Sequence, residues 1–254
     1  MFESLISVSN KYELIVGFAV IGLMMWFSFW VSEKWTKGRI HGSAIAIMLG
    51  LTLAYVSGAI SGGTKGAVDI PLLSGIGLLG GAMLRDFAII ATGFGVKLDE
   101  LKKSGMSGVT ALILGVVMSF VSGAAIAMAF GYTDAVSITT IGAGAVTYIV
   151  GPVTGAALGA SSEVMALSIA AGLVKSILVM ILTPFIAPYI GLNSPRSAIV
   201  FGGLIGTSSG VAAGLAATDE KLVPYGCITA AFYTALGCLL GPSLLYFAVV
   251  SIVA

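Results

Sequence analysis

The sequence predicts an all-α polytopic membrane protein with seven to eight membrane segments. Two of these are broken by glycine and proline and form an internal, inverted repeat. Three observations predict this class. Of 254 residues, 58% are hydrophobic and only 9% are charged, against roughly 25% charged in an average soluble domain. The mean hydropathy is +1.09, and the charges cluster between long apolar runs, so the runs read as spans. Glycine reaches 35 residues, about twice the usual share, which suits close helix packing or helices interrupted within the membrane.

The spans follow in order. Residues 14–31 form the first; the run is longer than a signal h-region, and no Ala-x-Ala cleavage pattern follows it. A polar loop holds Glu33, Lys34, Lys37, Arg39 and His41, and residues 43–60 form the second span. Trp26, Trp30 and Trp35 gather at the first span's inner end as an aromatic belt. A glycine-rich loop, 62–71, leads to a third apolar stretch, 72–94, which Arg85 and Asp86 interrupt. The loop 95–105 carries Lys97, Asp99, Glu100, Lys102 and Lys103, and 107–130 is a clean fourth span. The two basic loops lie two spans apart, so both face the cytoplasm by the positive-inside rule and the N-terminus lies outside.

The second half reads differently. Residues 138–162 are apolar but rich in small residues, and the run Gly151-Pro152-Val153-Thr154-Gly155 marks a break. Residues 164–190 form a long span with Lys175 near its middle and Pro184 and Pro188 near its end. Residues 198–217 contain Gly206-Thr207-Ser208-Ser209-Gly210, and 227–253 contain Gly241-Pro242. The whole chain, 1–254, then reads as one transmembrane domain, with a four-span half over 1–130 and a half with two broken segments over 138–254.

Residues 151–159 match residues 206–214 in the pattern G-x-x-[ST]-G-x-A-x-G. Each copy runs on into a hydroxyl and an acid, Ser162-Glu163 and Thr218-Asp219, and ends near a proline, Thr183-Pro184 and Gly241-Pro242. Self-similarity of this kind indicates duplicated architecture. The GxxxG pairs alone would only let helices approach closely. Two matched copies, each with a hydroxyl between its glycines, point instead to a transporter binding site. Whether these segments are re-entrant or cross fully stays open. Re-entrant hairpins place Arg196 inside and full crossings place it outside; the positive-inside rule favours hairpins.

A helix that stops inside a membrane leaves N–H groups free at one end and C=O groups free at the other. The N-terminal end of a half-helix suits a carboxylate. Unwound carbonyls and hydroxyls suit sodium. The candidate substrate-binding residues are therefore Thr154, Gly155, Ser208, Ser209 and Gly210, with Arg85 as the counter-charge. The candidate ion-binding residues are Thr147, Gly151, Gly206 and Thr207. Asp86 and Lys175 are candidate charge partners, because an intramembrane charge costs at least ~3 kcal/mol on insertion scales. Two breaks suit a substrate with two carboxylates.

Several classes are excluded. A net charge of +1 gives no basic field for nucleic acid. One histidine and two cysteines cannot build a His/Cys metal site. Cys227 and Cys238 both lie in the last apolar segment, which argues against a disulfide framework. No nucleophile–base pair or phosphate-binding loop has a supporting context, so the chain does not read as an enzyme and requires no cofactor.

Five stretches carry a family resemblance. They are residues 39–47 (RIHGSAIAI), 80–88 (GGAMLRDFA), 132–136 (YTDAV), 139–160 (TTIGAGAVTYIVGPVTGAALGA) and 210–219 (GVAAGLAATD). Together they resemble the larger-subunit (MadM) family of malonate:sodium symporters, from end to end. The resemblance implies sodium-coupled malonate uptake across the bacterial inner membrane. It also implies a complex with a smaller hydrophobic subunit, MadL, and leaves room for a higher oligomer. Gly206-Thr-Ser-Ser-Gly, Asp219-Glu220 and Gly241-Pro242 are similar, more weakly, to the LrgB/CidB family. That likeness implies either an export or channel protein or a shared fold alone. A subunit that assembles a carrier without transporting is the third reading.

Overall fold

A computed structural model describes residues 11–38, 40–62, 66–78 and 98–253. Arg85 and Asp86 lie outside the described residues. Those residues are helical with no strand, and five of their helices are long and apolar enough to cross a membrane. The chain divides into two compact units, Met1–Ala91 and Thr92–Ala254.

The first unit contains α1 (Glu13–Trp35), α2 (Gly42–Ser61), two short 3-10 turns and α3 (Ser74–Leu78). α1 and α2 are antiparallel, because Met24 reaches Gly50 while the Phe29 ring covers Gly42. His41 caps α2: its Nδ1 accepts from the Ser43 N–H at 3.3 Å, and its ring meets Phe29 edge-on at 5.2 Å. Ser32 Oγ donates to Ile40 O at 2.6 Å and ties the connecting loop to α1. Most of both helices faces outward with large apolar side chains, among them Trp26, Tyr55 and Ile60. Such surfaces suit lipid or another membrane protein.

The second unit starts with α4 (Leu98–Ala129), which turns at Gly105, where φ is 70°. Then come α5 (Ala135–Val146), α6 (Val150–Leu158), α7 (Ser162–Ile186), α8 (Pro195–Ile205), α9 (Ser208–Ala216) and α10 (Val223–Leu240). A π-helical turn (Gly241–Leu245) joins α10 to α11 (Tyr246–Val253). Proline cannot donate to the helical ladder, so Pro242 falls where the ladder slips into this wider turn. The last segment stays one crossing.

The glycines reveal the topology. Gly151 lies against Gly144, and Gly155 against Thr140, so α5 and α6 are antiparallel and form a hairpin. α6 is antiparallel to α7 through Gly155–Met165 and Gly151–Ser168. The second set repeats this pattern. α8 is parallel to α10 through Thr229 Oγ1, which donates to Ile199 O at 2.8 Å, and through Gly206, which lies on the Tyr233 ring. α9 is antiparallel to α10, since Ser208 reaches Ala230 while Leu215 reaches Gly226. α9 is also parallel to α7, through Gly210–Val179 and Gly214–Thr183. It follows that α7 and α10 run in opposite directions and the two hairpins enter from opposite ends. Both broken segments are re-entrant, and α5–α7 and α8–α10 form an inverted repeat.

Lengths agree with this reading. α7 has 25 residues, or about 37 Å, enough for a hydrocarbon core of ~30 Å. α5 and α6 have 12 and 9 residues, about 18 and 14 Å, so each reaches only part way. Each hairpin starts on a matched cap: Asp134 accepts from the Ser137 N–H at 2.8 Å, and Ser194 from the Ser197 N–H at 3.3 Å.

One expectation needs correction. The first break lies at 147–149 and not at 151–155. Gly151, Pro152, Thr154 and Gly155 belong to α6, with Gly151-Pro152 in its first turn. A first-turn proline loses no helical bond, so the Gly-Pro pair starts a helix here. The true repeat register pairs the first residues of α6 and α9, Val150 and Ser208, and not Gly151 with Gly206. Small residues recur every four positions along both packed faces. The motif therefore matches itself about one turn out of register.

Candidate functional site

The two hairpin tips meet inside the second unit. Tyr148, in the first tip, donates its hydroxyl to Ser209 Oγ in the first turn of α9 at 3.4 Å. The first tip is built by Val146, Thr147 and Val150. Thr147 is extended (φ −151°, ψ 157°) and buried, and its Oγ1 accepts from the Val150 N–H at 3.2 Å. The last carbonyl of α5, Val146 O, accepts from Lys175 Nζ at 3.0 Å. Gly172 allows this approach, because a side chain there would strike the Tyr148 backbone.

The second tip is built by Gly206 and Thr207. Gly206 has φ 72°, and a Cβ would enter the Tyr233 ring, so the position needs glycine for both reasons. Thr207 Oγ1 shares a 2.5 Å hydrogen bond with Ser176 Oγ, and both side chains are fully buried. α9 starts at Ser208 without a side-chain cap, so the first-turn N–H groups of Ser208, Ser209 and Gly210 lack the usual N-cap acceptor. Ser208 Oγ donates to Ala230 O at 3.3 Å and lies 3.3 Å from Thr234 Oγ1.

Lys175 stands midway along α7. Besides Val146 O it donates to Ser119 Oγ at 2.9 Å and to the Tyr233 hydroxyl at 3.1 Å. Its three acceptors among the described residues are neutral. Bonds to a charged group contribute about 1.5–3 kcal/mol each, enough to offset the ~3 kcal/mol of placing lysine mid-span. The Tyr233 hydroxyl passes its own proton toward Ser119 Oγ or Gly115 O, 2.7 and 2.9 Å away. A largely apolar groove of about 1040 Å³ runs along α4 and α7 from Phe130 and Tyr132 to Lys175 and Ile205.

The structure brings Thr147, Gly206, Thr207, Ser208, Ser209 and Gly210 together with Lys175 around the tips. Gly151 sits just behind the first tip, its N–H donating to Thr147 O at 3.2 Å, and Thr154 and Gly155 lie further along α6. Gly151 packs on Gly144 and Ser168, and Gly155 packs on Thr140 and Met165. Thr154 is fully buried, its Oγ1 has no hydrogen-bond partner, and it faces Gly241 in the π-turn. The expected Asp86–Lys175 and Arg85 contacts lie outside the described residues. Sequence reasoning missed Tyr148, Ser176, Ser119 and Tyr233. Lys175 and Tyr233 follow the caps Ser161 and Asp219 by the same distance, so the correct repeat register would have paired them.

A family model described as the malonate/sodium symporter MadM subunit matches residues 5–253. No curated protein and no solved structure matches the chain.

Proposed function

This chain belongs to the MadM subunit family of malonate/sodium symporters, and from that premise we propose that it carries malonate into the cell coupled to sodium. The observation that supports this reading is the meeting of two opposed re-entrant hairpins at hydroxyl-rich tips. A substrate carboxylate is received at the uncapped start of α9, by the N–H groups of Ser208–Gly210 and the Ser209 and Tyr148 hydroxyls. Sodium is received by the Thr207 hydroxyl and by backbone carbonyls of the break at Gly206. Thr154 and Thr147 support the first hairpin, Thr154 as an unpartnered hydroxyl beside the π-turn.

The chain acts in the bacterial inner membrane with a small MadL-like subunit. The end bearing Arg196, Lys221 and the start of α4 faces the cytoplasm by the positive-inside rule, and the N-terminus lies outside. Labelled malonate uptake into proteoliposomes tests the proposal, with the chain alone and with its small partner. The expected result is uphill uptake that requires an inward sodium gradient. Downhill flux indifferent to sodium would replace the carrier by a pore. No flux from a folded complex would leave an assembly role.

A further inference from the structure

The two tips differ in one respect that their shared architecture does not require. At the first tip, the C-terminal end of α5 carries partial negative charge, and a side chain answers it. Lys175 Nζ bonds Val146 O, Ser119 Oγ and the Tyr233 hydroxyl at 2.9–3.1 Å and lies 5.0 Å from the centre of the Tyr233 ring. A half-helix carbonyl with nearby hydroxyls is the oxygen set that broken-helix carriers offer to a monovalent cation. At the second tip hydroxyls meet hydroxyls, Ser176 with Thr207 and Ser208 with Thr234, and Ser208 also donates to Ala230 O. Among the described residues, no cationic side chain bonds to that tip. Tyr233 is the repeat partner of Lys175. It donates no positive charge and lends only a hydroxyl and a ring face to the first tip.

We propose that the Lys175 ammonium is a tethered cation, occupying at the first tip the place a coupling ion would otherwise take. The first tip then binds no sodium in the native protein, and the mobile ion is left to the second tip. This deepens the sodium-coupled reading and rests on it. Physically, a charge on α7 neutralises the α5 terminus in every state of the cycle, whereas a dissolved ion would leave it exposed on each release. Removing the ammonium uncovers a carbonyl and two hydroxyls inside the protein, and those oxygens then need a replacement cation.

The test compares wild type, Lys175→Met and Lys175→Arg as full-length chains purified with the membrane partner. Thermal unfolding is followed in NaCl and in KCl at equal ionic strength. Lys175→Met should gain a sodium-specific rise in midpoint beyond the wild-type response. A new site filled at about ten times its Kd corresponds to a shift of about 3 °C. Lys175→Arg should track the wild type. A Lys175→Met complex that is folded only in sodium supports the proposal equally. A Lys175→Met response equal to the wild type, or a complex lost alike in both salts, overturns it. If the wild type ignores sodium while Lys175→Met acquires a response, the tethered cation stands and the sodium-coupled reading of the second tip falls.

Discussion

Single residues decide how the ends of helices are satisfied in this chain. His41 caps α2 only as a neutral imidazole, because its Nδ1 must accept from the Ser43 N–H. Burial lowers its pKa below 6.5. The unfolded chain therefore takes up a proton first as pH falls, and stability contributed above the unfolded pKa is lost progressively below about 6.5. The carboxyl of Asp134 is pushed up by burial. Hydrogen bonds from the Ser137 backbone and side chain, and from its own and the Val136 N–H, outweigh this and hold it below the usual range. Its cap is lost at more acidic pH, as the folded form is finally protonated. His41→Asn keeps an acceptor at the cap and removes the proton switch. Unfolding of this variant should lose the wild type's pH dependence between about 5 and 7 while its midpoint near pH 7 changes little. An unchanged pH profile would show that the cap does not limit stability.

At the scale of elements, the re-entrant hairpins depend on close backbone approach. Gly144 and Gly151 bring α5 and α6 together, while Gly172 lets the first tip lie on α7. The break at Gly206 demands the most, with a left-handed φ of 72° and the Tyr233 ring where a Cβ would go. A non-glycine residue there costs about 1–2 kcal/mol in backbone conformation alone, before the ring must move. Gly206→Ala should lower the unfolding midpoint by at least about 2 °C. It should also weaken sodium-dependent uptake, because Tyr233 bonds Lys175 and Gly206 carries the second tip. A variant with the wild-type midpoint and uptake would mean that the tip can unwind differently. The glycine pattern located both broken segments, but it set the first break a turn too late. Proline and glycine mark a discontinuity without telling whether a helix ends or starts there.

For the whole molecule, the inverted repeat fixes which loops share a face. The start of α8, with Arg196, and the turn before α10, with Lys221, lie at the same end of the second unit. The turn before α5, with Asp134, lies at the other. The prediction is made in a background with Cys227 and Cys238 replaced by alanine. Cysteines at Arg196 and Lys221 should react with an impermeant thiol reagent from one side of the membrane, and a cysteine at Asp134 from the opposite side. Labelling of 196 and 221 from opposite sides would require α8–α9 to cross and would dissolve the hairpin. The apolar outward faces of α1 and α2 provide area that suits lipid.

By itself the sequence determined the all-α membrane class, the two interrupted segments of the second half, and the family. All of these follow from composition, local hydropathy and short motifs, which a linear chain displays directly. Only the tertiary structure decided that both broken segments are re-entrant, that their tips meet at Tyr148 and Ser209, and that Lys175 answers a half-helix carbonyl on another element. Those facts depend on contacts between residues far apart in the chain, such as Ser119, Val146, Lys175 and Tyr233. Small residues that repeat every four positions fit several registers equally well. Close packing in three dimensions selects the one in which every half-helix end finds its partner.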